Sequence, residues 1–271
     1  MTDDAPIVLV FSGNDPTGGA GIAADIETLV SLGCRAAPVV TAITVQDTAG
    51  VKEFEAVSGA LVIAQARAVL EDMPIAAIKL GMVGSIENLS AIATIAQDYP
   101  DIPLIVDPVL SSGRGDRLAE DDYEAALRHL IIPQATLLTP NTLEARRLAP
   151  GADSCDACAQ ELMSLGCQFV LLTGTHEPTP EVLNRLYGNH RLLETFHWER
   201  LGQEYHGSGC TLASACAATF AHGFDPLEAV GEAQDFTYEA LRHGTRVGMG
   251  QWLPDRLYWA RDDGDGPERK H

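Results

Sequence analysis

Lysine is almost missing from this chain of 271 residues, standing only at Lys52, Lys79 and Lys270. Arginine is more frequent, yet 18 basic residues face 38 acidic ones, for a formal net charge of −20. A chain so poor in positive charge offers no basic stripe to a phosphate backbone, so nucleic acid is not an expected partner. A single nucleotide is still admissible, because backbone amides and a metal can meet its phosphates. The same imbalance fits a salt-adapted or high-GC host, which a titration of stability against salt would test. Long apolar runs are also missing: none approaches the roughly 20 residues that span a bilayer, so no membrane partner is expected. The segment Met1 to Pro6 carries acid where a secretory leader carries base, and a cytoplasmic location is the expectation.

The six cysteines, Cys34, Cys155, Cys158, Cys167, Cys210 and Cys216, are read as free thiols in a chain without an export signal. Cys155-x-x-Cys158 lacks a second pair and nearby histidines, which removes a zinc site and leaves incidental helix-surface chemistry. No repeat, low-complexity tract or linker interrupts the chain. One domain over residues 1–271 is expected, with its core at about 7–245. The stretch at about 260–271, which includes the acidic Asp262-Asp263-Gly264-Asp265, is expected to be disordered.

What the chain does have is concentrated in Tyr205-His206-Gly207-Ser208-Gly209-Cys210-Thr211, followed by an Ala-rich stretch ending at Gly223. The second part reads as a small-residue helix with a glycine C-cap. The first has too many glycines for a helix and can wrap closely around a ligand. Amides in a helix's first turn lack internal partners and lie at the positive end of the macrodipole, a setting that suits phosphate. Cys210 at that end is expected to have a lowered thiol pKa. The turn therefore reads as an anion hole with a built-in nucleophile or base; the alternative is a helix capped by Ser208 beside a buried cysteine.

Elsewhere the pattern alternates. Ile7 to Phe11 is an apolar strand buried on both faces. Beyond the loop Ser12 to Gly21, apolar spacing predicts a helix over 22–32 that stops at Gly33. Further strands are expected at 37–45, 76–82, 103–109, 135–138 and 169–172, with helices at 87–97, near 121–130, from Thr142, and once more before residue 169. Residues 182–201 alternate around Gly188-Asn189 as a β-hairpin, and Asp225-Pro226 opens a last helix. Such alternation implies an α/β fold, a mostly parallel central sheet with helices on both faces. Ligands of such sheets bind at the C-terminal strand ends. The polar punctuation falls there: Gly13-Asn14-Asp15, Gln46, Gly81-Met82, Asp107-Pro108, Asn141 and Thr173-Gly174, besides the glycine turn.

Two misreadings are set aside. Gly13 to Gly18 has P-loop glycine spacing, but Gly19-Ala20 stands where Lys-Ser/Thr is required; Gly19-Ala20-Gly21-Ile22-Ala23-Ala24 matches a dinucleotide fingerprint but lies too far beyond its strand. Asp107 should project from a strand end, and Asn141 and Glu144 share one helical face. By themselves they read as turn caps and a solvated acid; beside a phosphate they become the hard oxygen ligands that Mg²⁺ prefers. Lys79, inside an apolar strand, needs either an ion-pair partner or a phosphate. His176 reads as a loop histidine.

Taken as a set, Ser12-Gly-Asn-Asp-Pro-Thr-Gly-Gly-Ala-Gly-Ile-Ala-Ala-Asp25, Thr41-Ala-Ile-Thr-Val-Gln46, Lys79-Leu-Gly-Met82, Val106-Asp-Pro-Val109, Thr139-Pro-Asn-Thr-Leu-Glu144 and His206-Gly-Ser-Gly-Cys-Thr211 resemble the hydroxymethylpyrimidine/phosphomethylpyrimidine kinases of thiamine biosynthesis. These belong to the ribokinase-like superfamily, and the resemblance spans residues 7–222. It implies a three-layer sandwich and ATP-dependent phosphorylation of 4-amino-5-hydroxymethyl-2-methylpyrimidine, then of its monophosphate. It implies Gln46 as the pyrimidine's hydrogen-bond partner, with Gly13, Asp15, Ala20, Met82 and Val109 around it. It further implies Asn141, Thr173, Gly174 and Lys79 on the ATP side, Asp107 and Glu144 at Mg²⁺, and Gly207, Ser208, Gly209 and Cys210 at the transferring phosphoryl. A homodimer is likewise expected. Many relatives carry Lys-Gly-Gly-His where this chain has Thr173-Gly174-Thr175-His176, so Lys79 or an arginine is a candidate to meet that phosphate charge. The rivals are a pyridoxal kinase of the same superfamily, a non-catalytic ligand sensor on this fold, and, third, a dehydrogenase.

Overall fold

The computed structural model describes residues 5–110 and 122–261. β1 (Ile7–Asn14) lies inside a nine-stranded sheet, between β2 (Arg35–Asp47) and β4 (Ile75–Leu80), both parallel to it. Past β4 come β5 (Leu104–Val106), β6 (Leu137–Leu138) and β7 (Phe169–Leu172), again parallel. Antiparallel strands finish both edges: β3 (Gly50–Ala56) beside β2, and β8 (Glu181–Gly188) with β9 (Arg191–Glu199) beyond β7.

Because successive strand residues point to opposite faces, β1 feeds two cores. Leu9 and Phe11 pack with α2 (Gly59–Asp72), α3 (Ile86–Asp98), α4 (Tyr123–Leu130), α5 (Thr142–Leu148) and α6 (Cys155–Ser164). Val8 and Val10 pack with α1 (Gly21–Ser31), α7 (Ser208–Ala221) and α8 (Pro226–Arg242). Each such side chain, fully buried, stabilises the fold by about 1.5–3 kcal/mol. The small residues of α7 let it lie close on the sheet, with Thr211 through Thr219 all buried. Gly223 follows it at φ 84, the left-handed conformation expected after a helix end.

Helices on both faces of a mostly parallel sheet are the expected architecture. The β8–β9 turn, Asn189 and His190, has two positive φ values, as a two-residue hairpin of that hand requires. Several boundaries differ from expectation. β3 and α2 were not anticipated, and β5 and β6 are shorter than the apolar runs suggested. The core also continues beyond residue 245: Tyr205 bridges to Trp252, Thr245 to Leu253, and Arg256 is 2 % exposed. Cys158 is buried in the core, so the Cys-x-x-Cys pair is not helix-surface chemistry. The disorder expected from about residue 260 falls almost wholly outside the described residues, as does Asp121. Among the described residues, no helix is long and apolar enough to cross a membrane.

Candidate active site

Loops leaving the C-terminal ends of the parallel strands converge on a cavity of about 760 Å³. One wall is the loop after β1. Asp15 folds it: Oδ1 accepts the Thr17 amide at 2.8 Å and Oδ2 the Ala20 amide at 2.9 Å. His206 Nε2 lies 2.8 Å from Asp15 Oδ2 and 3.1 Å from the Gln46 amide nitrogen, so the imidazole brings three chain segments within hydrogen-bonding reach of one ring nitrogen. Burial lifts the Asp15 carboxyl pKa, but hydrogen bonds from His206 and Thr17 outweigh it and hold it below its ordinary value. Gly13 faces Met82: a Cβ there would come within 3.2 Å of the Met82 sulfur. Ala20 and Val109 line the same space.

The opposite wall is the glycine turn. Gly207, at φ 81, is the N-cap of α7, and Ser208, Gly209 and Cys210 are its first three residues. Ser208 is thus not the cap. A helix's first-turn amides have no partner within the helix, which leaves this end suited to an anion. The expected low thiol pKa is overturned. Although residue 210 keeps part of its surface in solvent, burial pushes the Cys210 thiol up to about 12. Lys79 opposes that rise, while Asp107 and Asp25 add to it. The helix-end effect, worth at most a couple of kcal/mol, loses to a dry site shared with carboxylates. The thiol hydrogen-bonds Asp107, whose own pKa is raised by burial.

Asn141 caps α5, its Oδ1 accepting the Leu143 and Glu144 amides at 2.9 and 3.0 Å, while Glu144 Oε2 accepts the Asn141 amide at 3.0 Å. This capping box is the structural role that the residues alone suggest. Glu144, however, is buried and lines the cavity rather than a solvated face. Its pKa is raised by burial and then by the Asp107 charge. Two buried carboxyls, the one hindering the other's ionisation, make a corner short of a cation, and their oxygens are the hard donors Mg²⁺ takes together with water and phosphate. Among the described residues no group of three or more His, Cys, Asp or Glu forms a complete metal cage.

Two predicted residues do not reach the cavity. Lys79 is fully buried, its Nζ 2.8 Å from Asp25 Oδ1, and Asp25 holds its pKa above the ordinary lysine value despite burial. Of the two readings of Lys79, the ion pair is the one realised. Gly174 gives its amide to Asn184 Oδ1 at 3.0 Å, and any Cβ there would collide with the Leu183 carbonyl. Its neighbour Thr173 does line the cavity, bridged to Asn141. His206 has no role among the sequence expectations, and neither has the group in which Gln234 Oε1 accepts from Asn184 Nδ2 and Trp198 Nε1 at 2.9 and 3.0 Å. His206 was readable as an imidazole beside the glycine turn; the second group depends on β8, β9 and α8 meeting, which no local pattern announces. Arg200 is the one arginine, and there is no lysine, among the described residues lining the cavity.

A parallel-sheet cavity with a glycine turn at a helix N-terminus and two hard carboxyls beside it defines a phosphotransferase of the ribokinase-like class. The family model described as phosphomethylpyrimidine kinase matches residues 15–255. A hydroxymethylpyrimidine/phosphomethylpyrimidine kinase from Mycobacterium tuberculosis is 39% identical over 251 residues, 90% of this chain and 91% of that one. The crystal structure of a Clostridium difficile phosphomethylpyrimidine kinase has a TM-score of 0.75 and 33% identity, covering 87% of this chain and 99% of that one. A Staphylococcus aureus pyridoxal kinase in complex with AMP-PCP and pyridoxal has a TM-score of 0.84 and 26% identity, covering 95% and 96%. The chain belongs to the phosphomethylpyrimidine kinase family.

Proposed function

We propose that the protein transfers the γ-phosphoryl group of ATP to the hydroxymethyl oxygen of 4-amino-5-hydroxymethyl-2-methylpyrimidine, and then a second phosphoryl to the resulting monophosphate, in thiamine biosynthesis. The observation that carries this reading is the Gln46 amide beside His206, which is itself held by Asp15, within the same cavity as the glycine turn. A primary amide both donates and accepts, so it can pair with an aminopyrimidine edge. Gly13, Ala20, Met82 and Val109 would enclose the ring. Asn141 and Thr173 would lie on the ATP side, without Lys79 and without direct contact from Gly174.

Phosphoryl transfer needs positioning and charge stabilisation more than covalent chemistry. The amides of Ser208, Gly209 and Cys210 would cradle the moving phosphoryl, supplying charge complementarity that the lysine-poor cavity wall does not. Asp107 and Glu144 would hold Mg²⁺, which when bound neutralises phosphate charge. Cys210, protonated at neutral pH, would orient the substrate hydroxyl; as that oxygen bonds phosphorus, the bond from phosphorus to the ADP oxygen would break and the hydroxyl proton would leave on a phosphoryl oxygen. In the second step the nucleophile is a phosphate oxygen, which a thiolate would repel and a neutral thiol does not.

The reading extends to an enzyme of the cytoplasm without nucleic-acid or membrane partners. It also extends to a homodimer, supported by the exposed Ile43 and Val45 on β2 and tested by sizing in solution. The deciding assay couples ADP release to each candidate acceptor with Mg²⁺ and ATP. Turnover on the pyrimidine and its monophosphate is expected; turnover on pyridoxal alone would move the enzyme to the pyridoxal branch, and silence on all three would leave a sensor. A Cys210→Ala enzyme with wild-type turnover would remove the role given to the thiol.

A further inference from the structure

The largest fully buried side chain among the described residues is an arginine, Arg256, one residue beyond the span that matches the family model. Its guanidinium sits between the two walls of the cavity. Nη2 donates to the Gly19 carbonyl at 2.5 Å, and Nη1 lies 3.4 Å from the Gly18 carbonyl and 3.0 Å from Glu27 Oε2. Nε donates to Thr211 Oγ1 at 2.9 Å. That hydroxyl passes the connection on, donating to the Gly207 carbonyl at 2.8 Å. One planar fork thus grips the glycine loop after β1 and the N-cap of α7 at once.

The two gripped segments already touch. A Cβ on Gly207 would run into the Gly19 carbonyl, and one on Gly19 would lie 2.6 Å from the His206 ring. Arg256 is itself fixed, since Ser31 Oγ donates to its carbonyl at 2.7 Å and the amide of Asp255 bonds Ala240. A guanidinium keeps its charge at any working pH and presents donors in fixed directions, so buried here it sets a distance rather than a titratable switch.

We propose that Arg256 is a positioning residue for phosphoryl transfer: it fixes the spacing between the loop that carries the acceptor wall and the turn that receives the phosphoryl. It touches neither reactant and acts through Gly18, Gly19 and Thr211. The inference rests on the kinase reading above. Loss of the clamp separates acceptor from phosphoryl without dismantling either half-site, so transfer to the acceptor suffers more than hydrolysis by water, which needs no acceptor alignment.

The test compares the wild-type, Arg256→Gln and Arg256→Lys full-length proteins. Two rates are measured with Mg²⁺ and ATP: phosphorylation of 4-amino-5-hydroxymethyl-2-methylpyrimidine, and ATP hydrolysis without it. A displacement near 1 Å can cost on the order of 100-fold. For Arg256→Gln, kcat for transfer should therefore fall about 10-fold or more while hydrolysis changes less than about twofold. Arg256→Lys, which keeps the charge and reaches fewer acceptors, should recover part of the transfer-to-hydrolysis ratio. An unchanged ratio, or a parallel loss of both rates as expected from mere destabilisation, overturns the proposal. If Arg256→Gln does not fold, Arg256→Lys decides by itself: a lowered ratio supports the clamp and a wild-type ratio overturns it. A wild-type protein inert towards the pyrimidine would overturn the kinase reading; an active one with undiminished variants overturns only the clamp.

Discussion

Replacing Lys79 by methionine separates two accounts of that residue by measurement. The ammonium and Asp25 are both fully buried, 2.8 Å apart, and Ser214 Oγ donates to the same carboxylate oxygen at 2.6 Å. Methionine fills the stem's volume but removes the charge that compensates Asp25. Breaking one side of such a pair costs about 3–5 kcal/mol, because the remaining ion is left in a low-dielectric interior. For a protein of this length each kcal/mol moves Tm by about 2–4 °C, so a loss of about 10 °C is expected. The double variant Lys79→Met/Asp25→Leu removes both charges and should recover at least half of that loss. Calorimetry gives the Tm values, and steady-state kinetics at saturating pyrimidine gives KM for ATP. A Lys79→Met protein with unchanged Tm and a strongly raised KM for ATP would refute the argument and restore a phosphate contact.

Gly207→Ala forces a side chain into a left-handed conformation, costing about 1–2 kcal/mol, and into the Gly19 carbonyl. With the loop pushed aside, kcat should fall on the order of 100-fold, and a variant within twofold of wild type would contradict this packing. Asn141→Ala removes the cap of α5 and should cost about 1 kcal/mol in denaturant unfolding, while no loss would mean the box is unimportant. With its thiol raised to about 12, Cys210 should be alkylated by iodoacetamide at a rate that climbs roughly tenfold per pH unit from 7 to 9. A plateau near pH 7, read by mass spectrometry of its peptide, would show a thiolate instead. Asp15, whose folded pKa is lowered, contributes stability above the usual carboxylate range and loses it as pH falls through the lower value. The Tm gap between wild type and Asp15→Asn should therefore be open at neutral pH and close in acid.

The readable parts of this chain were those whose physics is local. Glycine spacing over 207–209 and the helix behind it depend on residues within a few positions of each other, and so does the Asn141–Glu144 box. β3 escaped because Lys52, Glu53 and Glu55 put charge on an edge strand and hide its apolar alternation. Lys79 could not be resolved between two partners until α1 placed Asp25 against β4, 54 residues away in sequence. The thiol of Cys210 was misjudged for the same kind of reason. A helix end is visible in sequence, whereas burial of the thiol, with Asp107 and Asp25 arriving from two other segments, reverses the outcome.

Gly19 and Arg256 meet across 237 residues of chain. Residues 7–199 contribute every described strand of the sheet, yet the guanidinium link between the two walls comes only with the segment after α8, added to the contacts that His206 and Gly207 already make. A growing polypeptide that has reached only the end of α8 would have the strands but neither this link nor Tyr258, which packs against the second core beside Phe236. Closing the cavity and completing the second core therefore both wait on the same short segment after α8.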